Sequence, residues 1–189
     1  MDAKELKELV SKGESSSLEF KRKISTPHKF AKEISAFANS NGGVILVGVD
    51  DDGTIVGVES EKATIEEIEH ISGFYVFPPA EIEIEMVHLR RKEVIMVIVR
   101  KSALRPHKVE IEDEQGKPRK IAYLRTGAKA IPASREMTGV LASQSPNAEP
   151  LRLSIGDHEK RFFLYLEKYE RATVKDFARL VNISNRRAE

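Results

Sequence analysis

The sequence predicts an α+β fold, in which a mixed β-sheet with β-hairpins is flanked by helices. Residues 44–49 form a nearly unbroken apolar run, which is typical of a central strand covered on both faces. Residues 81–89 and 94–99 have the pattern of two strands joined by the basic turn 90–92, which predicts a β-hairpin. Apolar residues at helical spacing in residues 27–40 predict one of the flanking helices.

The elements of the first third of the chain follow from apolar periodicity and from the residues that end each segment. Gly13 ends the first helix, and Asn41-Gly42-Gly43 ends the second. The turn Asp51-Asp52-Gly53 predicts that the strand after it returns as a first β-hairpin. In order, we expect a helix over residues 2–12, a strand over 17–22, a helix from Pro27, the central strand over 44–49 and a returning strand over 54–58.

The next part of the chain predicts a helix followed by a strand-rich region. Ser60 is a plausible N-cap, apolar residues continue at helical spacing to Phe74, and Pro78-Pro79 follows the end of that helix. After the 81–99 hairpin, residues 107–125 form two extended segments around Gly116-Lys117-Pro118. Residues 135–141 then predict a closing helix.

The chain divides into a main domain over residues 1–142, a linker over 143–156 and a helical segment over 157–189. The linker contains Ser-Pro-Asn and Glu-Pro, which favour loop structure. The helical segment has the order of a helix-turn-helix whose recognition helix has only begun, so we expect a partial, truncated motif, winged or not. A small helical dimerisation tail is the alternative.

The composition indicates a globular protein. The chain has 189 residues, 40% of them hydrophobic and 32% charged, and no apolar run reaches the length that a bilayer needs. Acidic residues among the N-terminal lysines do not fit a secretory signal, so we expect a cytoplasmic protein without membrane association. The chain contains no cysteine, which excludes disulfides, thiolate zinc sites and cysteine nucleophiles.

Short motifs occur in a fixed order over most of the main domain. They are Glu14-Ser15, Leu18-Glu19-Phe20-Lys21, Ala36-Phe37-Ala38-Asn39, Gly42-Gly43, Gly48-Val49-Asp50-Asp51, Gly57-Val58, Arg105-Pro106-His107 and Tyr123-Leu124-Arg125-Thr126-Gly127. In this order and spacing, residues 12–142 resemble the Schlafen/AlbA-like DNA-binding domain family. The resemblance implies an α+β fold and the binding of nucleic acid.

The resemblance also implies a metal-assisted endoribonuclease site, which vertebrate Schlafens build from two glutamates and an aspartate. The glutamates match Glu14 and Glu19, and the aspartate matches Asp50, with Asp51 as a close alternative. Such oxygen ligands suit Mg²⁺ or Mn²⁺, and we expect no other cofactor. Lys21 shares a strand face with Glu19 and is predicted to neutralise the attacked phosphate. Alternatively, Glu14 caps a loop, Glu19 pairs with Lys21, and Asp50 opens a turn.

The net charge of +1 hides an uneven distribution of basic residues, and binding of a polyanion depends on their placement. Vertebrate Schlafens carry two facing lobes whereas this chain has one, so we expect a homodimer that rebuilds the groove. Ordinary surface basicity is the alternative, and for His107 a structural role is also open. The predicted contacts to phosphate are Lys21, Arg22, Lys23, Arg90, Arg91, Arg105, His107, Lys108, Arg125 and Lys129.

The leading hypothesis for function is a regulatory protein that binds DNA or RNA, most simply a DNA-binding transcriptional regulator. A metal-dependent nuclease that uses Glu14, Glu19 and Asp50 is an alternative from a different class. A protein-interaction module with incidental basic patches is the third. The chain lacks the Gly-Lys-Ser/Thr of a P-loop and the Gly-x-Ser-x-Gly of a hydrolase elbow, which leaves ATP binding and serine hydrolysis unsupported.

Overall fold

The computed structural model describes residues 1–112, 115–146, 148 and 155–188. The chain divides into two compact units, Met1–Glu149 and Pro150–Glu189. The predicted linker, residues 143–156, spans the division between these units. Most of that linker, residues 147 and 149–154, lies outside the described residues.

The first unit combines helices with two four-stranded sheets, which confirms the predicted α+β class. Its elements in chain order are α1 (Ala3–Val10), β1 (Leu18–Lys21), α2 (Pro27–Asn39), β2 (Gly43–Val47), α3 (Glu61–Phe74), β3 (Val76–Phe77), β4 (Ile82–Leu89), β5 (Lys92–Val99), β6 (Lys108–Glu112), β7 (Pro118–Thr126), β8 (Lys129–Pro132) and α4 (Arg135–Ser143). The predicted hairpin at 81–99 is β4 and β5, which pair antiparallel from end to end.

The first sheet is mixed and has the strand order β1-β2-β5-β4. β1 and β2 run parallel, and the other pairs are antiparallel. Lys21 at the end of β1 lies opposite Val47, which lies opposite Ile95 on β5. This register puts the end of β1 and the β4–β5 turn at the same end of the sheet. The second sheet has the order β3-β6-β7-β8 and is antiparallel throughout.

Helix α2 supplies the core that joins the two sheets. Its side chains Phe30, Ile34 and Phe37 are buried in one apolar cluster. The cluster includes residues of the first sheet, such as Val97, and of the second, such as Val109. Each such side chain contributes about 1.5–3 kcal/mol on burial. A second cluster on the opposite face of the first sheet is covered by α1, so β2 is buried on both faces, as its apolar run predicts.

Two glycines let α2 pack closely against the strand that follows it. A Cβ atom on Gly43 would lie 2.3 Å from Cε1 of Phe37, which leaves no room for any larger residue. Gly42 has a φ of +77°, and a Cβ there would lie 2.7 Å from the carbonyl oxygen of Val99. The predicted stop at Asn41-Gly42-Gly43 is therefore set by conformation and by space together.

A buried asparagine ties α2 to the second sheet. Asn39 donates through Nδ2 to the carbonyl oxygens of His107, at 2.8 Å, and Tyr123, at 3.0 Å. Its Oδ1 accepts from the backbone amide of His107 at 2.8 Å. Because these bonds satisfy buried backbone groups of β7 and of the segment before β6, they fix the position of β7 against the helix.

The predicted returning strand over residues 54–58 is wrong. Gly48 follows β2 with a φ of +100°, which turns the chain out of the extended conformation. The segment then makes an isolated bridge between Val49 and Ile55, and the amides of Val56 and Gly57 both donate to the carbonyl oxygen of Gly48 at 2.9 Å. These bonds close a compact loop over residues 48–58 in place of a ladder.

The second unit contains α5 (Asp157–Tyr169), α6 (Val174–Val181) and α7 (Asn185–Ala188) among its described residues. The rings of Phe162 and Phe177 lie 4.8 Å apart and pack α5 against α6. Thr173 and Asp176 form a capping box at the start of α6. Asn182, at a φ of 57°, ends that helix before the turn into α7. Within the described part of the chain, no helix combines the length and the apolar character needed to cross a membrane.

Candidate nucleic-acid interface

A buried ion cluster lies where β1, α2 and β7 meet. Arg125 donates through Nη1 to Oε2 of Glu19 and to Oε2 of Glu33, at 2.9 Å in each case. Its Nη2 donates to the carbonyl oxygen of Ser15 at 2.7 Å, and its guanidinium carbon lies 4.4 Å from the centroid of the Phe37 ring. The Arg125 side chain is 1% exposed. One guanidinium therefore links the two sheets and α2.

Lys21 connects this cluster to the surface. Its ammonium group contacts Oε1 of Glu19 and donates to the carbonyl oxygen of Phe20 at 3.0 Å. The predicted pairing of Glu19 with Lys21 is confirmed. Burial raises the pKa of Glu33 above the ordinary glutamate value, and the nearby charge of Glu19 acts in the same direction. The cluster thus holds two carboxyl groups of which one favours its neutral form.

Four lysines surround an open pocket of about 230 Å³ beside the cluster. We call Lys21, Lys23, Lys29 and Lys32 the lysine rim. Among the described residues, Glu33 is the one acidic side chain that lines this pocket, and burial raises its pKa. A concave surface with this excess of ammonium groups attracts a polyanion such as a phosphate backbone.

The start of α2 holds two members of the lysine rim and places aromatic rings beside them. Thr26 caps the helix, and its Oγ1 accepts from the amide of Lys29 at 3.3 Å. His28 and Lys32 lie one helical turn apart on the same face. The His28 ring contacts the Tyr75 ring at a centroid distance of 5.1 Å, and the Lys32 ammonium lies 5.7 Å from the Tyr123 ring centroid.

The basic turn of the β4–β5 hairpin forms a separate surface. Lys92 donates to the carbonyl oxygen of Ile55 at 2.5 Å, and Arg90 and Arg91 line a pocket of about 470 Å³ next to it. This turn and Lys21 lie towards the same end of the first sheet, but Lys21 is on the edge strand β1 and the turn joins β5 to the opposite edge strand β4. The two surfaces are therefore distinct.

Acidic residues lie between these two basic surfaces. The loop over residues 48–58 contacts Arg22, which lies next to the rim in sequence but is not part of it, and contacts the hairpin turn. Arg22 donates to Oδ2 of Asp50 at 2.8 Å, and Lys92 donates to the carbonyl oxygen of Ile55. Asp51 and Asp52 are exposed on the same loop. The charge of Arg22 is thus partly neutralised by Asp50.

Two of the predicted phosphate contacts are buried. His107 is 1% exposed, and its Nδ1 lies 2.8 Å from the carbonyl oxygen of Pro78. Burial lowers the pKa of His107, so its neutral form is favoured. Arg125 is held inside the ion cluster. The structure therefore gives these two residues a structural role in place of the predicted contact with phosphate.

The other predicted contacts belong to the second sheet and the segment that leads into it. Lys108 starts β6 opposite Ala122 and is half-buried. Lys129 is exposed and lies opposite Thr126 at the turn between β7 and β8. Arg105 precedes β6, and its Nε is buried without a hydrogen-bond partner in the described part of the chain. These residues do not line the pocket of the lysine rim.

The three predicted metal ligands have other partners. Glu14 accepts from the amide of Phe20 at 3.0 Å, Glu19 binds Arg125 and Lys21, and Asp50 binds Arg22. Within the described residues, these acids do not form a group whose ligand atoms all lie within 4.8 Å of one another. The arrangement favours the structural alternative for each acid over a shared Mg²⁺ or Mn²⁺ ion.

The family model described as Schlafen, AlbA_2 matches residues 14–134, which is more than half of the chain. The chain belongs to the Schlafen AlbA_2 family. The matched range falls within residues 12–142, where the motifs predicted the resemblance. No curated protein sequence matches this Schlafen AlbA_2 chain at a significant level.

Two solved structures are similar to the Schlafen AlbA_2 chain. The crystal structure of the DIP2311 protein from Corynebacterium diphtheriae is 20% identical with a TM-score of 0.50, covering 84% of this chain and 31% of that one. This chain therefore spans about a third of that protein. The solution structure of the N-terminal domain of a RecG-related, ATP-dependent DNA helicase-like protein from Nitrosomonas europaea is 17% identical. It covers 84% of this chain and 97% of that domain, with a TM-score of 0.47.

The sequence-based predictions missed three residues that line this pocket of the Schlafen AlbA_2 chain. Lys29 and Lys32 belong to the basic segment at 21–32, and their helical spacing signals that they share one side of α2. Glu33 lies at i+3 from Phe30 and i−4 from Phe37, so it interrupts the apolar stripe of the helix. An acid at such a position is buried, which signals a partner elsewhere in the fold.

Proposed function

We propose that the Schlafen AlbA_2 domain binds nucleic acid, with phosphates of the backbone contacting the lysine rim. The observation that carries this proposal is the convergence of Lys21, Lys23, Lys29 and Lys32 on one open pocket. Membership of the Schlafen AlbA_2 family supports the same class of ligand. Each lysine that neutralises a phosphate releases a bound counterion, which makes the interaction sensitive to salt.

The buried ion cluster supports the rim electrostatically. Arg125 neutralises the carboxylate of Glu19 directly beneath Lys21, since both side chains bind that carboxylate. Without this guanidinium, two carboxyl groups would lie below the pocket and repel phosphate. Arg125 is therefore a positioning residue for Lys21 and does not itself contact the ligand.

The rings beside the rim favour nucleic acid with unpaired bases. His28 is exposed, contacts Tyr75, and shares a helix face with Lys32. Aromatic side chains next to a basic pocket give single strands a stacking surface that a duplex cannot use. The single strand is the ligand that this combination fits best.

Within this nucleic-acid-binding function, the specific role that we propose for the protein is regulation of transcription as a homodimer. Two copies of the domain would place two lysine rims along one nucleic acid, which raises affinity through a second set of phosphate contacts. In the second unit, α6, the turn at Asn182 and the short α7 have the order of a helix-turn-helix opening. Where the single strand is flanked by duplex, that motif would add readout of bases in a groove.

The proposal is tested by fluorescence anisotropy with labelled single strands and duplexes. The variant Lys23→Gln/Lys29→Gln removes two charges of the rim, and Lys4→Gln/Lys62→Gln removes two charges from exposed lysines on α1 and α3. We expect the rim variant to weaken binding by at least about tenfold, or about 1.4 kcal/mol, while the control variant changes it less than about threefold. Equal affinity in both variants contradicts the proposal.

The same samples test for cleavage. With Mn²⁺ present and with EDTA added, we expect intact oligonucleotide in both cases, because Glu14, Glu19 and Asp50 are bound to other partners. Metal-dependent products that disappear in Glu19→Gln would show instead that the family's nuclease site assembles on binding. Light scattering measures the molar mass of the protein with and without oligonucleotide, which shows whether it forms a dimer.

A further inference from the structure

A second group of side chains that can ligate a metal lies on α3 and the β4–β5 hairpin. Ligand atoms of Glu61, His88 and Glu93 all lie within 4.8 Å of one another. Nδ1 of His88 is 3.9 Å from Oε1 of Glu61 and 3.8 Å from Oε1 of Glu93. Within the described residues, this is the one set of three or more such side chains that meets the distance.

The fold places these three side chains together through backbone pairing. His88 on β4 and Glu93 on β5 are directly opposite in the register of the hairpin, so their side chains project from the same face of the sheet. The carbonyl oxygen of Glu93 accepts from the amide of Val58 at 2.8 Å, which fixes the segment that leads into α3. Ser60 caps that helix, and Glu61 is its first residue.

The charges at this position are not balanced by another cationic side chain. Glu61 and Glu93 lie 3.9 and 3.8 Å from Nδ1 of His88, and no lysine or arginine pairs with either acid in the described part of the chain. The three side chains are 27%, 63% and 42% exposed, in the order Glu61, His88 and Glu93. Two carboxylates next to one imidazole, open to solvent, favour a cation that can enter from water.

We propose that Glu61, His88 and Glu93 bind a divalent transition-metal ion such as Zn²⁺, with water completing the coordination. One imidazole nitrogen and two carboxylate oxygens suit Zn²⁺ and its neighbours in the first transition row, whereas Mg²⁺ and Ca²⁺ prefer ligand sets made of oxygen alone. Around a tetrahedral Zn²⁺ with bonds of about 2.0–2.1 Å, ligand atoms lie about 3.3 Å apart. The two separations from His88 Nδ1, 3.9 Å to Glu61 and 3.8 Å to Glu93, need to close by about half an ångström.

A metal ion at this position would link α3 to the β4–β5 hairpin. Because the ion binds the folded chain in which three elements meet, it stabilises that chain by mass action. Neither this ion nor its ligands take part in the proposed binding at the lysine rim. The inference therefore stands independently of the proposed function.

The test is isothermal titration calorimetry of the full chain with ZnCl₂, after removal of any polyhistidine tag. We expect one binding site per chain, and we expect the variants His88→Ala and Glu93→Gln each to weaken it at least about tenfold, or about 1.4 kcal/mol. The matched control is His70→Ala, which removes an exposed histidine on α3. This variant should bind Zn²⁺ as tightly as the original chain does. Mg²⁺ should compete poorly.

Thermal unfolding gives a second readout. Zn²⁺ should raise the melting temperature of the original chain and of His70→Ala, but not that of His88→Ala. Circular dichroism without metal shows whether each variant keeps the original fold, which we expect for these solvent-accessible positions. The proposal is overturned if the original chain binds no Zn²⁺ at this site, or if His88→Ala and Glu93→Gln bind it as tightly as His70→Ala does.

Discussion

The lysine rim and the buried Arg125 are both basic and lie next to each other, but their surroundings are opposite. The rim lysines line an open pocket. The Arg125 side chain, in contrast, is 1% exposed and donates hydrogen bonds to Glu19, to Glu33 and to the carbonyl oxygen of Ser15. Lys21 belongs to the rim although it also contacts Glu19, because its side chain is 28% exposed. Exposure of the charged group, more than pairing, thus separates a binding surface from a structural cluster within one basic region.

The residue types match this division. The planar guanidinium of Arg125 presents several donors in fixed directions, and here it satisfies three oxygen acceptors, on β1, on α2 and in the segment before β1. A lysine carries a compact charge on a flexible chain, which adapts to phosphates that move past it. In this region the arginine therefore stabilises the buried cluster, and the lysines line the exposed pocket.

The largest effect should come from removing the buried guanidinium. Arg125→Met leaves the carboxyl groups of Glu19 and Glu33 without their main partner, and we expect it to lower the free energy of unfolding by about 3–5 kcal/mol. Urea denaturation measures this loss. Arg119→Met, at an exposed position on the same strand, is the matched control and should change stability by less than about 0.5 kcal/mol. If both variants lose the same stability, Arg125 is not the link between the sheets.

A smaller effect should come from Glu33 and should depend on pH. Burial raises the pKa of Glu33, so its protonated form is favoured in the folded chain. The resulting stabilisation is fully present below the ordinary value of 4.5 and is lost as pH rises through the raised pKa. Glu33→Gln is neutral at every pH and lacks this dependence.

The pH effect is measured as the difference in unfolding free energy between the original chain and Glu33→Gln. Because both chains share all other acids, the difference isolates Glu33. We expect it to move in favour of the original chain as pH is lowered from 7.5 towards 4.5, and to remain smaller than the loss in Arg125→Met. A difference that is constant with pH would show that folding leaves the pKa of Glu33 unchanged, and one that moves the other way would show that the folded chain favours its carboxylate; either result contradicts the prediction.

The smallest effect should come from the hairpin turn. Arg90→Gln/Arg91→Gln removes two charges on the far edge of the first sheet, beyond the acidic loop, so we expect nucleic-acid affinity to fall less than about threefold. Anisotropy at the salt concentration used for Lys23→Gln/Lys29→Gln allows direct comparison. An equal loss in the two variants would show that the ligand crosses the loop and contacts both surfaces.

Local patterns predicted much of the fold, and long-range contacts explain what they missed. Periodicity located α2 and the β4–β5 hairpin because each signal lies within a few residues. The burial of Arg125 depends on Glu19, which is 106 residues away along the chain, so no local pattern reveals it. The prediction of a returning strand after β2 was wrong for a local reason, because the φ of +100° at Gly48 turns the chain away from the extended conformation.

The site was predicted only in part, for a similar reason. Lys21 was identified because it belongs to the motif Leu18-Glu19-Phe20-Lys21, and Lys23 because it lies in the basic stretch that follows. Lys29 and Lys32 could not be predicted from the sequence, because only the structure shows that both line the same pocket as Lys21 and Lys23. Glu19 pairs with Arg125, and Asp50 pairs with Arg22. No sequence pattern predicted either pair, so the sequence did not reveal that the two acids have separate partners.

The most direct test of the account is the salt dependence of single-strand binding. The logarithm of the association constant is measured against the logarithm of salt concentration for the original chain, for Lys23→Gln/Lys29→Gln and for Arg90→Gln/Arg91→Gln. Each lost phosphate contact lowers the slope by about 0.7 on a single strand, so the rim variant should lose about 1.4 and the hairpin variant close to nothing. Identical slopes for the original chain and the rim variant would contradict the role of the lysine rim.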